Sequence, residues 1–526
     1  MKKYFFALGI CILSYQNAQQ ILWEKTLGGK HSEYLYDMKA TPDYGFIIAG
    51  SSLSDNTGNK EQQSKGNLDF LLWKLDENGN TEWQQSFGTA GADELYSVAL
   101  TQDGGYILGG SSQTEQTDNP NYYNEDYIIL KLNAKGEKEW EQRLGGLGQD
   151  KLLCILPTQD GGYLAGGSSD SEAFESNPSL TPEQKSVLKN ENSRGNMDYW
   201  LVKLNAAGKI LWQKTYGGLY FDLLRAIVPA TDGGYLLAGY SNSPESKNGQ
   251  GEKQENNQGE GDFWIIKIDN NGAIEWQKTI GTKADDQLFT AIATDNGFWL
   301  AGNTQQNGEA DMYLIDIDTN GETLWKKTYS NGANDILISI NPYRTAEGKT
   351  QYLLSGYLQD TTDKSADYIV LSVDEKGNIQ WTKTLGGKES DRLQSTVQTR
   401  DGGFVLAGTS NSSAGKDKKQ DNQGRDDFYI VKLLGKDTEL SQKKGIEIYP
   451  NPTERFVNLI IDSELLQSGN AQLQVVDING KLLQQLKITQ STTAVDLQHY
   501  QPGVYLFNIS LHGKEQSVKV IKIMNN

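Results

Sequence analysis

The chain has 526 residues, with 49 Lys and Arg against 68 Asp and Glu, a formal charge of −19. That balance excludes the basic footprint that nucleic acid or an anionic membrane requires; 2 Cys exclude a disulfide framework, and 3 His leave little material for a zinc site or a Ser-His-Asp machine. With 56 Gly, 11 Pro and 10% aromatic residues, the composition suits many strands and tight turns rather than a helical bundle or a collagen-like fibre.

Residues 1–18 read MKKYFFALGICILSYQNA. A positive start at Lys2 and Lys3, a short apolar run and a small residue at Ala18 predict a secretory signal peptide cleaved after Ala18. The run is too short to span a bilayer, and no other segment is apolar enough to do so, so the mature chain is expected to have no transmembrane segment. Cys11 follows Ile10 rather than a small residue, which argues against lipidation. Cleavage leaves Cys154 alone, in a sequence (DKLLCILPT) that reads as a strand interior.

Residues 19–435 repeat. Trp23, Trp83, Trp140, Trp212, Trp276, Trp325 and Trp381 mark seven units. All but Trp23 are preceded fourteen residues earlier by Asp: Asp69, Asp126, Asp198, Asp262, Asp311 and Asp367. A seventh Asp, Asp427, has Ser441 where its Trp would stand, so the chain begins with the strand that its last unit lacks. Ten residues after each Trp comes another acid: Glu33, Asp93, Asp150, Asp222, Asp286, Asp335 and Asp391.

Each unit reads as four strands, such as 94–102, 106–112, 126–133 and 137–146, with a DGG or equivalent turn at Asp43, Asp103, Asp160, Asp232, Asp295 and Asp401. The sixth unit departs from the pattern with an insertion around 341–351. Seven four-stranded sheets with a borrowed closing strand predict a seven-bladed β-propeller closed by its N-terminal strand. The segment LDENGNTEW (75–83) resembles the tryptophan-docking motif of quinoprotein-like propellers, with one residue fewer in the turn. The resemblance implies that the seven Trp pack between neighbouring blades as structural residues. It is one of fold alone: those dehydrogenases typically have eight blades, and many carry a vicinal disulfide that one mature Cys cannot make.

Length varies between the second and third strands, at 51–68, 168–197 and 241–261. These polar, Asn/Gln/Gly/Ser-rich segments read as mobile recognition loops whose shortening costs little stability, with one short helix at 182–190. The two acidic columns flank the same edge, so fourteen carboxylates are expected near one face, in an inner and an outer ring. The inner column (Glu33, Asp93, Asp150, Asp222, Asp286, Asp335, Asp391) is the candidate ligand-binding set, for a cation or for a basic or polyhydroxylated ligand; Ca²⁺ would suit its oxygens. The competing reading is structural: an Asp after a Gly-rich corner accepts backbone N–H bonds, once per unit. Asp316, Asp318, Asn320 and Gly321 match the start of a calcium loop, but Lys327 stands where its Glu belongs, and Asp316 replaces the Lys of five other units, so a hairpin turn is expected. No phosphate-binding Gly loop, HExxH or nucleophile elbow is present, so no catalytic residue is assigned and no cofactor is called for.

Residues 436–445 read as a linker. The rest, 446–526, lacks the repeat. The signal carries +2 and this tail −1, which leaves −20 on residues 19–445. Alternating runs at 455–461, 471–478 and 503–510 with an Asn479-Gly480 turn predict an antiparallel β-sandwich. IEIYPNPTERFVNL (446–459), VVDINGKLL (475–483), VDLQHYQPGVYLFNI (495–509) and KVIKI (519–523) resemble the type A C-terminal sorting domain of the type IX secretion system. The resemblance implies a Bacteroidota-type bacterium, Sec export, handling by the type IX machinery, and secretion or display at the outer cell surface. The functional expectation is a surface or secreted binding module, its partner an extracellular glycan or protein met by the long-loop face. The alternatives are a glycan-active enzyme built from the same loops and a purely structural surface protein.

Overall fold

The computed structural model describes residues 20–523 except 114–123, 147, 174–187, 307, 332–333, 346, 361, 363, 435–444, 450, 454, 467–470 and 512. The expected signal peptide and nearly all of the expected linker lie outside the described residues, as does 182–187 of the expected helix. Its remainder, Leu188–Asn190, is not helical.

Residues 21–433 form seven four-stranded antiparallel sheets in chain order. Sheet 1 comprises Glu33–Ala40, Phe46–Ser52, Asp69–Leu75 and Thr81–Phe87. The first strands of sheets 2 to 7 are Asp93–Leu100, Asp150–Pro157, Asp222–Pro229, Asp286–Thr294, Asn334–Arg344 and Asp391–Gln398. Each first strand touches the first strands of the sheets before and after it, and that of sheet 7 touches that of sheet 1. The arrangement is all-β and propeller-like.

Burial follows from it. The second and third strands lie between two neighbouring sheets and are buried on both faces, as in Phe46–Ser52 and Asp69–Leu75, whereas first and fourth strands alternate. The N-terminal strand, Ile21–Leu27, completes sheet 7 as its outermost member, antiparallel to Asp427–Leu433 with Lys25 opposite Ile430. The sixth unit's insertion does not make a loop. It lengthens the hairpin, Asn334–Arg344 pairing with Thr350–Gln359.

Each Trp on an outer strand packs against the next sheet. Trp83 lies 5.8 Å from Tyr106 of sheet 2, Trp140 5.8 Å from Tyr163 of sheet 3, and Trp23 6.4 Å from Phe46 of sheet 1. The same indoles cover the Gly of the next sheet's outer hairpin. A Cβ on Gly136, which sits at φ +77, would stand 2.8 Å from Trp83 Cζ3. That glycine is needed twice, for its backbone angle and for the close approach.

The tail folds as a three-stranded sheet (Ile446–Tyr449, Phe456–Ile461, Thr492–Asp496) and a four-stranded one (Leu482–Ile488, Ala471–Asp477, Gly503–Leu511, Lys514–Lys522). Val457, Leu459, Leu473, Val475, Phe507 and Ile509 fill one core between them. The tail meets the DGG-turn side of the larger assembly: Ser491 Oγ donates to Asp43 Oδ2 at 2.6 Å, and Tyr44 OH donates to Glu447.

Candidate functional site

The seven acids of the first-strand column are fully buried. Each begins or adjoins the start of a strand after a corner, and each accepts the backbone N–H four residues earlier: Gly29 to Glu33 at 2.8 Å, Thr89 to Asp93 at 2.6 Å, Gly146 to Asp150 at 2.9 Å, Gly218 to Asp222 at 2.7 Å, Thr282 to Asp286 at 2.5 Å, Asn331 to Asp335 at 2.6 Å and Gly387 to Asp391 at 2.6 Å. A hydroxyl two residues past the end of the second strand often completes the clamp, as Ser171, Ser243 and Ser412 do for Asp150, Asp222 and Asp391. In the other column, Asp69, Asp198, Asp262 and Asp427 accept the same bond, from Lys65, Arg194, Gln258 and Gln423.

The two columns meet at the seams. Between the third-strand acid of one sheet and the first-strand acid of the next stands a glycine: a Cβ on Gly88 would lie 1.9 Å from Asp69 Oδ1 and 3.0 Å from Asp93 Oδ2. Gly145, Gly281 and Gly386 are held in the same way. Burial, then the neighbouring carboxylate, pushes Asp126 and Asp198 up to about 7 and Asp262 up to about 6. Asp427 beside Glu33 is likewise raised. Among the described residues no group of three or more His, Cys, Asp and Glu is arranged to hold a metal. Asp316 is mostly buried, and burial pushes its carboxyl up to about 6 against the opposing effect of hydrogen bonds from the Trp325 and Trp299 indoles. Asp318 caps a turn, accepting Asn320 and Glu322 N–H at 2.9 Å.

The described parts of the long loops are anchored by buried lysines; residues 174–187 of the 168–197 segment lie outside the described residues. Lys60, Lys189, Lys253 and Lys418 are each 1% exposed. Each lies nine residues before the third-strand Asp of its sheet, with Ser or Asn four residues later (Ser64, Ser193, Asn257, Asn422) and Gly two residues beyond that. Lys253 Nζ donates to Glu255 O (3.0 Å), Asn257 Oδ1 (2.7 Å) and Thr279 Oγ1 (3.2 Å). Lys189 Nζ donates to Ser171 O (2.8 Å) and Ser193 Oγ (2.7 Å). Each cation faces both acids of its own sheet, Asp222 and Asp262 for Lys253, Asp150 and Asp198 for Lys189, and burial still lowers both lysines to about 8. The loops are also stitched across the seam, since Asn59, Lys189, Glu252 and Asp417 N–H donate to the carbonyls of Gly28, Gly145, Gly217 and Gly386. Sheets 1, 3, 4 and 7 therefore share one built insert. Its signal was in the sequence, visible when the loops are aligned on Asp69, Asp198, Asp262 and Asp427.

On the opposite face, the DGG aspartates pair with the buried third-strand lysines: Lys74 with Asp43 (3.0 Å), Lys131 with Asp103 (2.8 Å), Lys203 with Asp160 (2.7 Å), Lys267 with Asp232 (2.9 Å) and Lys432 with Asp401 (2.7 Å). Cys154 Sγ lies 3.4 Å from Gly166 O, and burial pushes its thiol up to about 12.

Sequence reasoning missed the site that does not repeat. In all seven first strands the pairing with the second strand slips by one residue at the same level. The bulged residues are Tyr36, Tyr96, Leu153, Arg225, Phe289, Ile338 and Gln394, each half-buried. A bulge turns one side chain out of the ladder, so these seven form a ring at one depth, about 10 Å in from the acids at ~3.4 Å per residue. Tyr36 and Tyr96 meet edge to face at 4.9 Å, and the Arg225 guanidinium lies 5.7 Å from the Phe289 ring centre. Nearer the loop face, Tyr96 OH donates to Glu94, Lys151 pairs with Glu125 at 3.5 Å, and Arg392 lies over Tyr357 at 5.7 Å. The corner before Asp222 exposes Leu219, Tyr220 and Phe221 in succession.

A model of the secretion system C-terminal sorting domain matches residues 447–523. A curated relative, the regulatory protein FlaEY of Caulobacter vibrioides, is 23% identical over 161 residues, 29% of this chain and 17% of that protein. Similar solved structures include Sqt1 from Chaetomium thermophilum (9% identity, TM-score 0.39, 78% of this chain and 100% of that one) and a point mutant of NanB sialidase from Streptococcus pneumoniae (9%, 0.38, 79% and 70%). The acylaminoacyl peptidase of Pyrococcus horikoshii is a third (9%, 0.31, 71% and 57%). No helix among the described residues is long and apolar enough to cross a membrane. Residues 447–523 are a type IX secretion C-terminal sorting domain, which marks the chain for secretion to the cell surface or the extracellular space.

Proposed function

We propose that this is an exported binding protein: a seven-bladed β-propeller, closed by its N-terminal strand, that recognises an extracellular ligand through the channel mouth on its long-loop face, followed by a β-sandwich that serves as the export address. The contrast between repeated and unrepeated positions carries the reading. The fourteen column acids, the seven Trp and the insert lysines recur from sheet to sheet; the lysines and the clamp oxygens of the acids take partners within the protein, while the other oxygen of eleven of the acids is buried without a hydrogen-bond partner. The bulge ring has the same backbone seven times and different chemistry nearly every time, which is what a single asymmetric ligand selects. The column acids act as corner clamps in this account, and neither Ca²⁺ nor another cofactor is required.

A second reading, a glycan-active enzyme, rests on one observation. Glu125 is raised, first by burial, and Glu94 beside it adds to the effect, so two carboxylates of unlike environment share the rim. The test is a glycan and protein array on the purified mature chain, with and without Ca²⁺, with product analysis of every bound glycan. Binding that Tyr96→Ala abolishes and that ignores Ca²⁺ supports the module. Turnover lost in Glu125→Gln supports the enzyme. Binding that Asp150→Asn abolishes while melting is unchanged would return the ligand to the acid column.

A further inference from the structure

The bulge ring contains one charged side chain. Around it stand Tyr36, Tyr96, Phe289, Leu153, Ile338 and Gln394, and only Arg225 carries a full charge. In a chain with 68 acids, no ion pair between Arg225 and a described carboxylate exists. The guanidinium is braced on the Phe289 ring, and the titratable groups that face it are the phenols of Tyr96, two sheets away, and Tyr199. A half-buried guanidinium without a counter-ion costs folding free energy, so it is kept for something that arrives.

What arrives is constrained by charge and by shape. One guanidinium matches one negative charge, and its planar fork suits a carboxylate. A phosphate monoester brings up to two charges into a ring overlooked by Glu94 and Glu125 within a shell of net charge −20. The rest of the ring offers aromatic faces, phenol hydroxyls and one amide, a set that receives C–H faces and hydroxyl groups together. Peptide strand addition is disfavoured, because the inner-strand N–H beside the bulge is already used in five sheets. Leu35, Leu95, Leu152, Leu224 and Leu337 N–H donate to Thr409, Ser51, Ser111, Ser168 and Asn303 of the preceding sheet at 2.9–3.2 Å. Where that partner position is Tyr instead, at Tyr240 and Tyr357, the phenol rings stand on the same rim and Tyr357 carries Arg392.

We propose that the bulge ring binds an acidic saccharide residue, with Arg225 clamping its carboxylate and Tyr36, Tyr96 and Phe289 receiving the sugar body. This rests on the channel-mouth reading above and names the ligand class for it.

The experiment is calorimetric titration of the mature full chain with the methyl glycoside of galacturonate, which carries one carboxylate, with its methyl ester, and with a tripeptide bearing a free C-terminus. Wild type binds the acid about tenfold or more tighter than the neutral ester, as expected for losing one charge-assisted pair. Arg225→Gln removes that preference and leaves ester binding in place; Arg225→Lys retains part of it; Phe289→Leu weakens both, and the thermal midpoint of each variant reports folding. Equal binding of acid and ester, an unchanged preference in Arg225→Gln, stronger binding of the peptide, or no binding of the acid each overturns the inference. If acid and ester bind equally and Tyr96→Ala abolishes both, the channel-mouth reading survives while the carboxylate assignment falls; if the acid binds and no ring variant alters it, both fall.

Discussion

Replacing Lys253 by Met tests whether the long loops are built structure or mobile tether. The side chain is almost wholly buried, and its ammonium donates to Glu255 O, Asn257 Oδ1 and Thr279 Oγ1. Methionine has similar bulk and no donor. It strands the first two acceptors, each at roughly 1–3 kcal/mol, and removes the cation that faces Asp222 and Asp262, leaving Lys326 facing Asp262. Against this, the ammonium is itself costly to bury, as its lowered pKa of about 8 records, and Met recovers that part. The expected net loss is about 2–4 kcal/mol, read from urea unfolding of the mature chain. A local signature accompanies it: trypsin cuts after Lys247 in the variant under conditions where wild type resists. Adding Asp262→Asn to Lys253→Met restores part of the loss, because the carboxylate that lost this cation is then gone. A loss below about 1 kcal/mol with unchanged cleavage would mean that the buried lysine holds nothing, and the loops would revert to mobile segments. If Lys253 holds the loop, shortening 241–261 costs at least as much as losing Lys253.

Three further outcomes follow from the same structure. Trp23→Ala removes an indole that docks on Phe46 and closes the last sheet onto the first, and a loss of about 3 kcal/mol with faster proteolysis at the N-terminus is expected in thermal and protease assays. Asp126, raised to about 7 chiefly by burial and then by Asp150, keeps its proton in the folded state where the unfolded chain, near 3.8, has lost it. Its stabilising contribution is full below pH 3.8 and vanishes as pH rises through 7; melting followed from about pH 5 to 8 should fall less steeply in Asp126→Asn than in wild type. Deleting 446–526 should leave a folded, periplasmic repeat domain absent from the cell surface, as cell fractionation would show; normal surface display of the truncated chain would contradict the role of the tail.

The repeat was legible because a four-stranded unit imposes fixed spacings. Trp and Asp recur at fourteen and ten residues, and Trp23 without its Asp pointed to the closing strand that pairs with Asp427–Leu433. The corner role of the acids was legible as one of two readings, since an Asp four residues past a Gly-rich corner has a backbone N–H in reach. The insert lysines were hidden by composition: GNKEQQSKGN looks like a polar tract until Lys60 is counted nine residues back from Asp69. The bulge ring left no periodic signal at all. A one-residue slip reverses which side chains face the channel, and Tyr36, Arg225 and Phe289 share no residue type to align. The Lys–Asp pairs of the other face were half visible. Lys74 and its equivalents could be counted as a column, but it is the fold that brings Asp43 to 3.0 Å.

The claim that recognition takes place in the channel mouth is tested most directly by hydroxyl-radical footprinting of the mature chain with and without the tightest ligand from the array. The account predicts protection of Tyr36, Tyr96, Phe289 and the exposed Leu219–Phe221 corner, with the DGG-turn face unchanged. Protection confined to the DGG turns or to the outer-strand Trp residues, with the ring equally reactive in both states, would contradict it.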